Sequence, residues 1–399
     1  GRRELDAAYA AAAAALSADE AGKQALLSVT RGLGDPPAKR MTGTLARALY
    51  GRPVSSVSRL ETFAQCPYQH FVRYGLAPQR EQQPGVDAAE LGTLYHEAAE
   101  RFTEAVTALP EFPEVPQAVC DRLMDEAVSP LIDAWRESPM GESKRGEAVA
   151  RRIRRTAKRT ARNILSQYAD SSFRPLRMEF VFGQNGLSPI VLELSDGTFV
   201  YLQGRIDRVD VMTGGGLRVI DYKSGARKFD PTLVYWGLQL QLLLYLAAAL
   251  SSVPGSHAAG FFYCRIADPT VKTESRIREE VEKQIAKKLS LQGISLSDVA
   301  ILRAQGGNIA PMVTKDGKPN GRYAASMVDE AGMEKLLDFG KRKAAELAGE
   351  IYRGEMDDSP VERGAFNACQ NCEYSAICAF DPMRKPRRRL AAKKLDDLL

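Results

Sequence analysis

The segment that most restricts this 399-residue chain is QGRIDRVDVMTGGGLRVIDYKSG, residues 203–225. Alternating apolar and polar residues on either side of a Gly-rich turn predict two paired strands, and Asp221-Tyr222-Lys223 closes the second. Successive strand side chains point to opposite faces, so Asp221 and Lys223 share one face and Tyr222 takes the other. A carboxylate and an ammonium so placed on a buried strand are costly unless something occupies the space between them. A divalent cation with its water fits that space, and Asp207 on the neighbouring strand supplies a second carboxylate. Such an ion takes oxygen ligands, polarises a phosphoryl group and acidifies its water, while a fixed ammonium stabilises developing negative charge. Asp207 and Asp221 are therefore expected as metal ligands, with Lys223 orienting the attacking water or holding the new charge. Taken alone, D-x-K also describes an ordinary ion pair at a strand end; the apolar LRVI before it and the paired GRID favour a site.

The surrounding chain reads as a helical front, a central mixed sheet and a helical return. Residues 4–28 are expected as helix, restarted by a capping box at Ser17–Glu20, and 31–40 as a loop. A second box, Ser58 to Glu61, opens a helical pattern that Pro67 should break just after Cys66. A turn at 79–85 precedes an amphipathic helix over 88–109 carrying His96. A lone helical histidine is ordinarily structural. Residues 117–170 read as helix interrupted near 138–142. Strands follow, with Asp196-Gly197 as a hairpin turn. Asp230-Pro231 opens a helix expected to run to Leu250, on which Gln241 and Tyr245 share a face and can reach back to Lys223 or substrate. A buried strand at 259–266, a mixed stretch over 270–325 and a long helix over 330–353 complete the outline.

Six cysteines are present, and nothing marks the chain as secreted, so metal ligation is a better use for clustered thiols than disulfides. Cys369, Cys372 and Cys378 form a C-x2-C-x5-C run. Cys66 is the best fourth ligand, because Cys264 sits in an apolar strand and Cys120 in a helical pattern, where free cysteines are common. The spacing suits zinc or a [4Fe–4S] cluster, although the separation of about 300 residues from Cys66 is unlike a compact zinc ribbon. Closing so long a loop would pin the helical front to the C-terminus, a structural rather than a redox role.

Net charge is only +5, but nine Lys/Arg lie between residues 144 and 162 against the single acid Glu147. Such a run suits a polyanion, and Arg151, Arg152, Arg155 and Arg159 are candidate nucleic-acid contacts. A second basic run spans 384–394. No apolar run is long enough to cross a bilayer, and there is no G-x4-G-K-[ST] motor motif. The start at Gly1 suggests a piece of a longer protein.

Together these pieces resemble the RecB-type nuclease family of the PD-(D/E)XK superfamily, which orders a G-x3-H helix, a GxxD strand, a DYK strand and a Q-x3-Y helix. Here they are Gly92 to His96, Gly204 to Asp207, Asp221 to Lys223, and Gln241 to Tyr245. Cys66 with the C-x2-C-x5-C run is similar to the iron–sulfur subgroup. SVSRLETFAQCPYQHFVRYGL, GRIDRVDV, LRVIDYKSG, GLQLQLLLYL and CQNCEYSAIC resemble the C-terminal nuclease domain of AddB-type subunits, over most of 45–380.

The resemblance implies an α/β, restriction-endonuclease-like core: a central mixed sheet flanked by helices, with a helical N-terminal extension and a four-cysteine cluster joining the two ends. In that scheme 1–45 is a helical extension, 46–380 the nuclease domain (46–170 mainly helical, 171–268 catalytic sheet and helix, 269–380 helical return and cysteines) and 381–399 a basic tail. It implies Mg²⁺ or Mn²⁺ on His96, Asp207 and Asp221, with Lys223, Gln241 and Tyr245 catalytic. It also implies a [4Fe–4S] cluster on Cys66, Cys369, Cys372 and Cys378. The activity implied is exonucleolytic cleavage of single-stranded DNA, on the 5′-ended strand, in double-strand-break repair. The partner implied is an AddA-type helicase–nuclease subunit forming a heterodimer in the bacterial cytoplasm. Two alternatives are a stand-alone iron–sulfur nuclease of the CRISPR-adaptation type and a non-catalytic DNA-binding or subunit-docking module.

Overall fold

In the computed structural model the two strands expected within 203–225 form the middle of a six-stranded mixed sheet. The structure describes residues 2–33, 39–79, 88–137, 141–184, 188–272, 277–306, 309, 312–378 and 380–399; the expected turn at 79–85 and break near 138–142 lie largely outside them, as do residues 34–38 of the loop expected at 31–40, whose first three residues instead continue a helix. The chain opens with α1 (Arg2–Leu16), α2 (Glu20–Leu33), α3 (Gly43–Tyr50), β1 (Val54–Ser55), α4 (Val57–Gln65) and α5 (Pro67–His70). Three long helices follow: α6 (Ala88–Thr107), α7 (Gln117–Arg136) and α8 (Lys144–Ser166). Then come β2 (Phe173–Phe182), β3 (Ile190–Glu193), β4 (Phe199–Leu202), β5 (Gly204–Met212), β6 (Gly216–Lys223), α9 (Pro231–Tyr235), α10 (Gln241–Ser252) and β7 (His257–Arg265). The return comprises α11 (Arg278–Leu289), β8 (Gln292–Leu296), α12 (Val299–Ala304), β9 (Met327–Val328) and α13 (Glu330–Tyr352). The end holds β10 (Val361–Arg363), β11 (Phe366–Asn367), α14 (Ser375–Cys378) and β12 (Arg388–Arg389).

The large sheet runs β2-β5-β6-β7-β8-β9. Only β6/β7 and β8/β9 are parallel; the β6-to-β7 crossover is made by α9 and α10, as a parallel connection requires. Both faces are covered. Val209, Leu217, Val219 and Phe261 pack with α10 and α13, whereas Ile220, Tyr222, Phe262 and Cys264 pack with α6, α7 and α8. On that second face a polar knot fixes the register of β5 on β6. Asp210 Oδ1 and Oδ2 lie 3.2 and 2.9 Å from Arg208 and Arg218 Nε, and Tyr168 donates to Asp210 at 2.9 Å. All four side chains are fully buried, so each charge depends on its partners.

Several local expectations shift. The helix restart at 17–20 is capped by Asp19, which accepts from the Gly22 amide, and not by Ser17, whose hydroxyl bonds back to Ala13. The box expected from Ser58 to Glu61 does not form: Ser56 caps α4 through the Arg59 amide, leaving Glu61 for another partner. Pro67 ends α4 as expected and starts α5 at its first position. The helix expected from Asp230 to Leu250 is two helices. Gly237 takes φ +77° between them, a conformation glycine adopts without steric cost.

The two ends meet. The Met41 amide donates to Gly354 O at 2.9 Å, Lys39 Nζ pairs with Asp358 at 2.9 Å, and the Tyr68 amide donates to Asp357 O at 3.0 Å. Residues 381–399, expected as a tail, lie along the body: β12 pairs with β10, Arg388 donates to Ala64 O at 2.7 Å, and Trp236 donates to Ala391 O at 3.1 Å. Leu398 is buried. Among the described residues, no helix is long and apolar enough to cross a membrane.

Candidate active site

The ladder between β5 and β6 stops at the pair Arg208–Ile220. Beyond it the strands part, and Asp207 Oδ2 accepts the Tyr222 amide at 2.6 Å in place of a ladder carbonyl. This opening lies where β2, β6 and β7 end and β5 begins, so helices from both layers reach it. α6 contributes His96, whose Nδ1 lies 3.3 Å from Asp207 Oδ1 and whose ring meets Tyr222 edge-on. Burial works to lower the His96 pKa, but the Asp207 hydrogen bond and charge outweigh it and raise it.

Asp221 is fully buried, with Lys223 Nζ 2.6 Å from its Oδ2. Among the described residues, neither Asp221 oxygen accepts an aligned hydrogen bond. Burial first, and then the Asp207 charge, push its pKa up to about 6 against the opposing pull of Lys223. A buried carboxylate without aligned donors, beside a second carboxylate and an imidazole, fits an oxygen-seeking divalent cation. On α10 Gln241 Nε2 donates to Tyr245 Oη at 3.1 Å, the i, i+4 contact expected. Burial raises the Tyr245 pKa despite that bond, and the Asp221 and Asp207 charges add to the rise. Thus His96, Asp207, Asp221, Lys223, Gln241 and Tyr245 gather at one end of the sheet.

Two carboxylates escaped the sequence reading. Glu179 on β2 lies with His96 and Asp207 so that one ligand atom from each falls within 4.8 Å of the others. It holds φ +46°, a left-handed conformation costly for a non-glycine residue, and Arg205 Nε sits 2.5 Å from its Oε2. Burial and the Asp207 charge push its pKa up to about 7. Strain together with a half-buried carboxylate makes Glu179 a candidate ligand, yet in RMEFVF the residue reads as one more strand position. Glu61 is the second: its Oε1 accepts the Leu240 and Gln241 amides at 2.8 and 3.1 Å. Burial pushes its pKa up to about 7 although those amides, Arg227 and Lys223 oppose it.

Cys66, Cys369, Cys372 and Cys378 line one cavity, together with Tyr68, Tyr374, Phe380 and Arg387. Cys66 terminates α4 and is buried, which pushes its thiol up to about 11; burial also raises Cys378, with the Asp358 and Cys372 charges adding to the rise. Four thiols converging on one cavity fit a thiolate-bound metal centre, whose charge would offset the cost of ionising them. Cys264 and Cys120 are buried in the second core, away from this cavity.

The basic helix α8 uses much of its charge inside the fold. Arg159 pairs bidentately with Glu282 and also lies 3.4 Å from Asp268, Arg155 lies 2.6 Å from Asp268, and Arg162 clasps Asp121. Arg151 and Arg152 point to solvent, with Glu147 4.0 Å from Arg151.

The comparisons with known proteins agree with this geometry. A family model described as the PD-(D/E)XK nuclease superfamily matches residues 54–379. The chain is 36% identical over 355 residues to the B-type subunit of the ATP-dependent helicase/deoxyribonuclease of Alkaliphilus metalliredigens, covering 84% of this chain and 31% of that protein. It is 36% identical over 358 residues to the protein of the same name in Moorella thermoacetica, covering 85% and 31%. The Clostridium tetani protein of that name is 33% identical over 399 residues, covering 94% and 34%. The chain thus spans about a third of the length of these relatives. The match extends over most of the sequence and takes in the split strands, both aspartates and the cysteines, and the chain belongs to the PD-(D/E)XK nuclease superfamily.

Proposed function

We propose that this chain is the nuclease part of an AddAB-type helicase–nuclease and hydrolyses phosphodiester bonds of single-stranded DNA, on the 5′-ended strand, in double-strand-break repair. The observation that carries the reading is Asp221: wholly buried, without aligned hydrogen bonds among the described residues, and flanked by Asp207, His96 and Lys223. In this reading His96, Asp207, Asp221 and Glu179 hold Mg²⁺ or Mn²⁺. A bound divalent cation polarises the phosphoryl group and lowers the pKa of its water. Lys223, with its Nζ 2.6 Å from Asp221, orients the water or meets charge developing on the phosphoryl oxygens. Gln241, held by Tyr245, faces substrate from α10. Cys66, Cys369, Cys372 and Cys378 carry a [4Fe–4S] cluster that closes the fold, and an AddA-type subunit supplies the motor in a cytoplasmic heterodimer. The names of the relatives, which join helicase and deoxyribonuclease in one complex, support this assignment.

The test is cleavage of end-labelled single strands by anaerobically purified protein, with and without Mg²⁺. Cleavage should require the ion and disappear in Asp221→Ala and in Lys223→Ala, both folded. Undiminished cleavage by either variant excludes this site.

A further inference from the structure

We propose that Arg265 is a phosphate-binding residue of the nuclease site, seating the phosphodiester next to the one that is cleaved; this rests on the nuclease reading above. β6 and β7 are parallel and in register, with Asp221 beside Tyr263 and Lys223 beside Arg265. Paired residues of adjacent strands project to the same side, so Arg265 stands on the face that carries Asp221 and Lys223. The packing agrees, since Phe261 and Tyr263 belong to the core on that face while Phe262, Cys264 and Ile266 belong to the other.

Two cations in directly neighbouring positions repel. Lys223 has Asp221 to offset its charge, but Arg265 has nothing comparable. It is half-buried, its Nε is buried without a hydrogen-bond acceptor, and among the described residues it forms no ion pair. Other arginines at or behind this sheet are committed: Arg208 and Arg218 to Asp210, Arg159 to Glu282. Desolvating a guanidinium without an acceptor is expensive unless a ligand supplies one. Its surroundings indicate which ligand. Across the sheet the site presents carboxylates on β2, β5 and β6 (Glu179, Asp207, Asp221), then cations on β6 and β7 (Lys223, Arg265). A strand whose scissile phosphate sits at the carboxylate end, over a metal ion, carries its next phosphate toward β7. A planar guanidinium matches two oxygens of that phosphate.

The experiment measures binding of a labelled single-stranded oligonucleotide in EDTA over a salt series, so that no turnover intervenes. Arg265→Gln should weaken binding roughly tenfold, the loss of one charge-assisted contact. It should also reduce the magnitude of the slope of log affinity against log salt by about 0.7, the share of one phosphate on a single strand. Arg265→Lys should keep the slope. A neutral methylphosphonate at the linkage beside the cleavage point should weaken the unsubstituted protein to a similar degree and leave Arg265→Gln unaffected. Equal affinity and slope in a folded Arg265→Gln overturns the proposal. So does a neutral linkage without effect on the unsubstituted protein, a result that needs no variant to fold. Either outcome in a protein that cleaves DNA leaves the nuclease reading standing; a protein that neither binds nor cleaves single strands overturns both.

Discussion

Glu61 caps the helix that carries Gln241: its Oε1 accepts the Gln241 amide at 3.1 Å and the preceding Leu240 amide at 2.8 Å. Glu61 lies on α4, which ends at Cys66, so one nine-residue helix touches the cysteine cavity with its end and the start of α10 with its side. Gln241 is the first residue of α10, where unpaired amides and the positive end of the helix dipole both favour a carboxylate.

Replacing Glu61 should therefore act on the candidate active site through Gln241, without touching substrate. Glu61→Ala should cost about 1 kcal/mol of stability, the usual worth of a cap, and lower kcat several-fold with KM little changed. Glu61→Gln, which keeps an acceptor oxygen, should recover much of the kcat. Kinetics on single strands beside a thermal melt decide it; a Glu61→Ala enzyme with unaltered kcat means the cap is structural only.

Glu179 holds a backbone conformation that glycine adopts freely. Glu179→Gly should stabilise the metal-free protein by about 1 kcal/mol, since it relieves strain and removes a carboxylate that Asp207 repels. The same change should shift the Mg²⁺ dependence of cleavage to higher ion concentrations. Unfolding curves in EDTA and a Mg²⁺ titration of activity check both halves.

Cys372 lies between the other two cysteines of the C-terminal run, on the same cavity as Cys66. Cys372→Ala should lose bound iron and its visible absorbance and lower stability by several kcal/mol, because a metal site absent from the unfolded chain contributes its binding energy to folding. Colourless protein containing zinc would replace the cluster with a zinc site.

His70 is a buried histidine held neutral. Its Nε2 accepts from Arg59 Nε at 3.0 Å, it packs edge-on against Tyr50 and Phe63, and burial with the Arg59 charge lowers its pKa from 6.5 to about 3. Below pH 6.5 the unfolded chain takes up a proton that the folded chain refuses, so stability falls from there down toward pH 3. At pH 5 this group alone should remove about 2 kcal/mol relative to pH 7, at ~1.4 kcal/mol per pH unit. His70→Gln should make the loss shallower between pH 7 and 5; parallel denaturant series at the two pH values measure it.

The legible parts were those set by spacing. Strand alternation placed Asp221 and Lys223 on one face, helical spacing placed Gln241 against Tyr245, and the cysteine run pointed to one cavity. What stayed hidden depended on backbone detail or distant partners. Glu179 meets Asp207 across the β2–β5 ladder, between the pairs Met178–Arg208 and Phe180–Ile206, a register that RMEFVF alone does not reveal. Glu61 sits at a capping-box position but caps a helix 180 residues away. The break before Gln241 was signalled only by Gly237, and one internal glycine is a weak mark against a strongly apolar run. The basic appearance of α8 could not reveal that Asp268, Glu282 and Asp121 fold back to meet it.

The meeting of residues 39–70 with 354–388 also has a consequence for synthesis. The Tyr68 amide waits for Asp357, Ala64 O for Arg388, and Cys66 for three thiols made about 300 residues later. At roughly 5–20 residues per second, α4 leaves the ribosome a quarter of a minute to a minute before those partners exist. Throughout that interval the Cys66 thiol, the Tyr68 amide and Ala64 O lack these partners, and residues 354–388 complete a body begun some 300 residues earlier.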